Sequence, residues 1–141
     1  MRYLAVDYGT VRIGLALSDA SGLLARPLQI IKHIARQTDA ERLAQIVQEV
    51  RAERIVIGLP MDENGELSER ARSIQRFGSV LAELTPTPII YWDESLSSQD
   101  AEQLLAQQRK KRQHIDDVAA AVILQGYLDY QNPTNSYSTN P

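Results

Sequence analysis

Residues 2–18 read Arg2-Tyr3-Leu4-Ala5-Val6-Asp7-Tyr8-Gly9-Thr10-Val11-Arg12-Ile13-Gly14-Leu15-Ala16-Leu17-Ser18, and the way this stretch divides decides the fold. Residues 2–7 are nearly continuously apolar, as a strand covered on both faces of a sheet must be. Gly9-Thr10 then supplies turn chemistry. Ile13, Leu15 and Leu17 alternate with Gly14, Ala16 and Ser18, the two-residue period of a second strand. So short a connection requires the two strands to run antiparallel.

Working outward, Asp19 to Gly22 forms another turn and residues 24–31 give a third strand. Pro27 cannot donate to a central ladder, so this strand belongs at the sheet edge. Thr38 and Glu41 have capping-box spacing, and Leu43, Ile46, Val47 and Val50 mark an amphipathic helix ending near Glu53. Ile55-Val56-Ile57 is a short buried strand stopped by Gly58-Leu59-Pro60. After a polar loop at residues 62–65, a second helix covers residues 68–84. Thr85-Pro86-Thr87-Pro88 forbids its continuation and leads into a strand at residues 89–92. Ser97 and Asp100 again have capping spacing, with Ala101, Leu104 and Leu105 as the apolar face of a third helix. A fourth spans residues 116–130, and Ala119-Ala120-Ala121 lets it approach the sheet closely.

The order βββ-α-β-α-β-αα predicts an α/β domain over residues 1–130, a mixed five-stranded sheet with helices on both faces. Its first strand is central, between the second strand and the strand that ends at Leu59. Residues 131–141 have nothing apolar to bury beyond one tyrosine and are expected to form a disordered tail.

The chain has 141 residues, 43% apolar and 23% charged, which suits one soluble domain with a single substantial core. No apolar run is long enough to span a bilayer. Cysteine is absent, which excludes disulfides and thiol chemistry, and with no targeting pattern the expected location is the cytoplasm. A net charge of −3 means that nucleic-acid binding has to come from a local basic patch.

Acidic residues stand where apolar segments end or helices begin: Asp7, the pair Asp93-Glu94, and the pair Asp116-Asp117. In an open α/β sheet the strand ends meet at one edge, where such folds place their sites. Carboxylates gathered there repel one another unless a cation lies between them, which points to a hard-metal site for phosphoryl transfer. Asp7 is the best bridging ligand because a central strand holds its backbone. Glu94 is the second candidate, with Asp93 as competitor, since neighbouring strand residues face opposite ways. Asp116 is the third, with Asp117 as substitute, although aspartate at a helix start is also an ordinary cap. The strand between Asp7 and Glu94 ends in Gly58 and supplies no carboxylate. Glu94 therefore has roughly 9–10 Å of sheet to cross. Thr10 and Arg12 lie on the first turn, near enough to Asp7 to contact a phosphate. Arg109-Lys110-Lys111-Arg112 is the only dense basic run, and it precedes Asp116. There it would form a cationic lip for a phosphate backbone. His33 and His114 have no partner by spacing and read as surface residues.

Several of these groups together resemble the YqgF family, over about residues 2–129. They are Asp7-Tyr8-Gly9-Thr10 with Arg12-Ile13-Gly14, Ser18-Asp19, Ala25-Arg26-Pro27-Leu28, and Gly58-Leu59-Pro60. Asp93-Glu94 with Leu96-Ser97, and Asp116 with Ala119-Ala120 and residues 123–128, complete the set. The resemblance implies an RNase H-like fold and a metal-dependent endonuclease acting on structured nucleic acid, foremost precursor 16S ribosomal RNA. Asp7, Glu94 and Asp116 would be catalytic and hold Mg²⁺, or Mn²⁺ in its place. Thr10, Arg12, Arg109, Lys110, Lys111 and Arg112 would contact the nucleic acid. RNA is favoured over DNA, the ribosome or its precursors are candidate partners, and the chain would act as monomer or homodimer. The alternatives are a Holliday-junction-type DNA resolvase and a ribosome-assembly factor that binds nucleic acid with little catalysis. The second gains from one departure: Ser95 stands where the family commonly has arginine, so that bidentate charge is missing. Asp7-x-Gly9-Thr10 also resembles the first phosphate loop of actin-like ATPases, but a second Gly-rich loop and a second domain are lacking.

Overall fold

The computed structural model describes residues 1–61, 64–94 and 116–133, with residues 116 and 117 described in backbone only. Five strands run in the spatial order β3-β2-β1-β4-β5. They are β1 (Tyr3–Tyr8), β2 (Arg12–Ser18), β3 (Ala25–Lys32), β4 (Arg54–Leu59) and β5 (Ile89–Asp93). The helices are α1 (Arg36–Val50), α2 (Glu69–Leu84) and α3 (Asp116–Gln131). β1, β4 and β5 are mutually parallel, whereas β2 is antiparallel to both β1 and β3. The expected topology and the central place of β1 hold. β3 is the edge strand, and Leu28 is its extra residue, since Leu15 faces Gln29 while Ala16 faces Pro27. The bulge lies where Pro27 has no N–H to give.

In place of the single core expected, period-two alternation divides the sheet into two faces with separate cores. Leu4, Val6 and Tyr8 of β1 join Ile55, Ile57 and Leu59 of β4 under α1 and α2, packed on Leu43, Val47, Ile74, Phe77 and Leu81. Ala5, Ala16, Ala25, Val56 and Trp92 face the other way and meet α3 through Ala120, Ala121, Ile123, Leu124 and Leu128. α3 is accordingly buried along most of its length, and small residues on both sides bring it close to the sheet.

Two helix starts illustrate local chemistry. Ser68, read from sequence as the first residue of the second helix, is instead its cap, its Oγ accepting from the Ala71 N–H at 3.1 Å. Thr38 does not cap α1. The helix begins at Arg36, three residues before a Thr38 cap would start it, after an extended Ala35 that makes no side-chain cap bond. Asp39 holds that connection instead, accepting from the Ile34 N–H at 3.0 Å, and Glu41 pairs with Gln37 at 3.2 Å. α1 also stops earlier than expected, at Val50, with Arg51 in the left-handed conformation at φ 56°.

α3 runs to Gln131, and Asn132 follows it with its N–H on the Leu128 carbonyl at 2.9 Å. The tail from residue 134, the helix expected from Ser97, and Ser95, His114 and the basic run lie outside the described residues. No helix among the described residues is long and apolar enough to cross a membrane.

Candidate active site

Parallel β1, β4 and β5 end at the same sheet edge, which brings Asp7, Gly58 and Glu94 together. Asp7 follows Ala5 by two positions and so shares the α3 face of β1. Its neighbours across the ladders leave room around it. Gly14 is its partner in β2, and Gly58 comes next in β4 after the pairing of Val6 with Ile57. The strands on either side of this carboxylate thus present glycine, with no side chain of their own beside it.

The missing side chain in β4 closes the distance to Glu94. Trp92 is on the α3 face and Asp93, last in the strand, falls on the opposite one, whereas Glu94, one residue past β5, is placed on the α3 face by its contact with Gly58. The Glu94 side chain lies over Gly58: a Cβ there would come within 2.8 Å of Glu94 Oε1 and 3.3 Å of its Cγ. It therefore crosses the intervening strand through the space a β-carbon would have filled. Burial pushes the Glu94 carboxyl up from its ordinary range, and the negative charge of Asp7 pushes it further. Arg70 opposes this and Asp93 adds to it. Two carboxylates that resist joint ionisation, offering only oxygen, are a donor set that fits a hard divalent cation.

The first turn completes one wall. Asp7, Gly9, Thr10 and Arg12 line a cleft of about 250 Å³ together with Val11 and Gly14. Gly9 is obligatory there, since a Cβ would stand 2.2 Å from the Arg12 carbonyl oxygen. Thr10 and Arg12 are both exposed.

The start of α3 comes to this edge as well. The C-terminal half of the helix is tied to the opposite edge, where Gln125 Oε1 accepts from the Ala25 N–H at 2.9 Å and Asn132 Nδ2 donates to Gly22 at 3.4 Å. Ile123 reaches Gly58, and Asp116 opens the helix two turns, roughly 10 Å, before it. The Asp116 and Asp117 side chains lie outside the described residues, as do Arg109, Lys110, Lys111 and Arg112. Among the described residues Asp7 and Glu94 form a pair, with no third acidic or histidine ligand in reach.

Behind the site is a polar cluster that spacing did not reveal. Asp39 is fully buried. It accepts from the Tyr8 hydroxyl at 2.9 Å and contacts His33 Nδ1. His33, read from sequence as a surface residue without a partner, is thus partly exposed and has the buried Asp39 as its partner. Burial first, then the bond to Asp39, raises the Tyr8 hydroxyl well above the ordinary tyrosine range. Arg70, in the first turn of α2, donates to the Tyr8 carbonyl and so clamps the residue after Asp7. Only the period of β1 hinted at this, by sending Tyr8 to the face opposite Asp7.

Comparison with known proteins agrees with this architecture. A family model described as "RuvX: Holliday junction resolvase" matches residues 1–130. Similar curated proteins carry the name "Putative pre-16S rRNA nuclease". The one from Thermoanaerobacter pseudethanolicus is 39% identical, covering 93% of this chain and 98% of its own. That from Halothermothrix orenii is 40% identical, covering 94% and 97%. Among solved structures, Thermus thermophilus RuvC in complex with a Holliday junction substrate aligns with a TM-score of 0.70 at 16% identity, over 95% of this chain and 96% of that one. The fowlpox virus Holliday junction resolvase aligns at 0.59 and 13% identity, over 93% and 99%. At those identities the likeness speaks for the fold, which is that of RNase H-like resolvases.

Proposed function

The chain belongs to the RuvX family, the YqgF-like grouping, and from that premise we propose a metal-dependent endonuclease that hydrolyses phosphodiester bonds in structured nucleic acid, foremost precursor 16S ribosomal RNA. The observation that carries this reading is the Glu94 side chain laid across Gly58, its ionisation opposed by Asp7. The name shared by its full-length relatives favours RNA.

Asp7, Glu94 and Asp116 are the proposed ligands, for Mg²⁺ or Mn²⁺. When bound, such ions activate a water and neutralise charge developing on the phosphate. The chain contributes position. Asp7 is paired with Gly14 of β2 at the end of a strand laddered on both sides, and the missing β-carbon of Gly58 admits the Glu94 side chain beside it. Thr10 and Arg12 hold the strand's phosphate at the mouth of the cleft, with Arg109, Lys110, Lys111 and Arg112 as the recruiting surface. Protein of this kind would work in the cytoplasm, on the ribosome's precursors.

A second reading, cleavage of branched DNA, is favoured by the family's description and by the junction-bound neighbour. The deciding experiment compares wild type and Asp7→Asn on precursor rRNA and on a four-way DNA junction, with Mg²⁺ and with EDTA. Wild type is expected to cut the RNA and the variant to lose at least a hundredfold in rate while still binding, the scale of a lost positioned electrostatic group. Undiminished cutting by Asp7→Asn would end the mechanism, and junction cleavage alone would move the assignment to DNA. Binding without turnover on either substrate would leave a binding factor.

A further inference from the structure

At the same sheet edge, on the α1 and α2 side, lies a second cavity of about 210 Å³ whose lining includes Thr10, His33, Arg36, Arg70 and Ser73. It shares Gly9 and Thr10 with the cleft lined by Asp7. The two spaces are thus divided only by the turn between β1 and β2.

The charge of this second cavity is one-sided. Among the described residues its lining holds no carboxylate; the buried Asp39 is engaged by the Tyr8 hydroxyl, the Ile34 N–H and His33, with Arg42 at 3.7 Å, and Glu94, across the turn, lies within the electrostatic reach of Arg70. Glu69, next to Arg70, turns to Arg72 at 3.9 Å and Arg76 at 3.5 Å. What remains facing the cavity is two guanidinium groups and two hydroxyls. Arg70 is fixed by its bond to the Tyr8 carbonyl, and a guanidinium carries five N–H donors, so its fork is aimed with donors to spare. Arg36 is exposed on the first turn of α1.

We propose that this cavity is an anion subsite that takes a phosphate group of the substrate strand neighbouring the one held beside Asp7. A planar fork matches phosphate geometry in two contacts, which a lone lysine would not. Contacts of this sort set the register of a strand and carry no sequence information, as a processing enzyme with structured substrates requires. The strand's identity rests on the nuclease reading above. The subsite itself rests on the cavity and its charges. Its phosphate is either an internal diester or a terminal monoester.

The test is fluorescence anisotropy in EDTA, where binding is read without turnover, using single-stranded RNA with either a 5′-phosphate or a 5′-hydroxyl, across a salt series. Arg36→Gln, on an exposed helical turn, keeps the fold, and Arg70→Gln is its companion. Each is expected to weaken binding roughly tenfold and to lower the slope of log affinity against log salt by about 0.7. Arg72→Gln, which removes the same charge outside the cavity, should change neither. Equal effects on both RNAs assign the subsite to an internal phosphate, and effects confined to the 5′-phosphorylated RNA assign it to the terminus. Unchanged affinity and slope in the cavity variants, an equal loss in Arg72→Gln, or no binding by wild type would overturn the proposal. If these shifts appear while wild type cuts nothing with Mg²⁺, the nuclease reading fails and the subsite stands.

Discussion

Burial, and after it the negative charge of Asp7, makes Glu94 reluctant to ionise, and that reluctance has a measurable consequence. The folded protein binds this proton more tightly than the unfolded chain does. The stabilisation from Glu94 is therefore complete below the ordinary glutamate range and is lost as pH rises through the raised folded value. In EDTA, Glu94→Gln is expected to remove that slope and to leave the protein more stable than wild type at neutral pH, as read by urea denaturation across pH. With metal the order reverses. Wild type should gain about 2.7 kcal/mol at a hundredfold excess over the dissociation constant, and Glu94→Gln little of it. A variant that is less stable in EDTA at neutral pH would mean that the carboxylates are not crowded. Alternation along β5 is enough to turn Asp93 away from Asp7, but Glu94 lies one residue past the strand, where that period no longer applies. The path across Gly58 was not legible, because a glycine at a strand end reads equally well as a terminator. His33 was less legible still: Asp39 is six positions away and Tyr8 twenty-five, across turns that no periodicity encodes.

Helix starts divide in the same way between what a short motif specifies and what tertiary contacts override. Ser68, placed by sequence at the helix start without a capping motif, caps α2 through the Ala71 N–H. Ser68→Ala should cost about 1 kcal/mol, with urea unfolding as the measure. The loss should extend to cleavage, since the first turn of α2 carries Arg70 and its hold on the Tyr8 carbonyl. A full-strength cap loss with unaltered turnover would show that Arg70 does not position the loop after Asp7. Thr38 has capping-box spacing with Glu41 and fails, because Asp39 is drawn into the buried cluster with Tyr8 and His33, and the helix is entered three residues earlier. A side chain satisfied from three separate elements outweighs one local capping bond. Strands were more legible than helix ends. Their limits follow from the burial of alternate residues, and Pro27 could be accommodated only at an edge.

Two cores of different character meet at this sheet, and the difference assigns them different duties. The α1 and α2 side is built of large side chains such as Leu43, Phe77 and Leu81. The α3 side is lined by Ala5, Ala16 and Ala25 against Ala120 and Ala121, so the position of α3, and of the residue that opens it, depends on close approach. Substitutions on the two sides should thus separate stability from function. Leu43→Ala is expected to cost 2–5 kcal/mol, as deletions in a packed interior do, yet leave turnover per folded molecule near wild type, because nothing at the Asp7 edge moves. Ala120→Leu should cost less, about 1–3 kcal/mol by overpacking. It should nevertheless depress turnover and metal-induced stabilisation out of proportion, since the added bulk lifts α3 from β1 and carries Asp116 away from Asp7 and Glu94. Urea titrations give the stabilities, and cleavage rates with Mg²⁺, corrected for the folded fraction, give the function. If both variants lose activity only in proportion to unfolding, α3 is scaffold alone, and the third ligand has to be sought elsewhere on the rim.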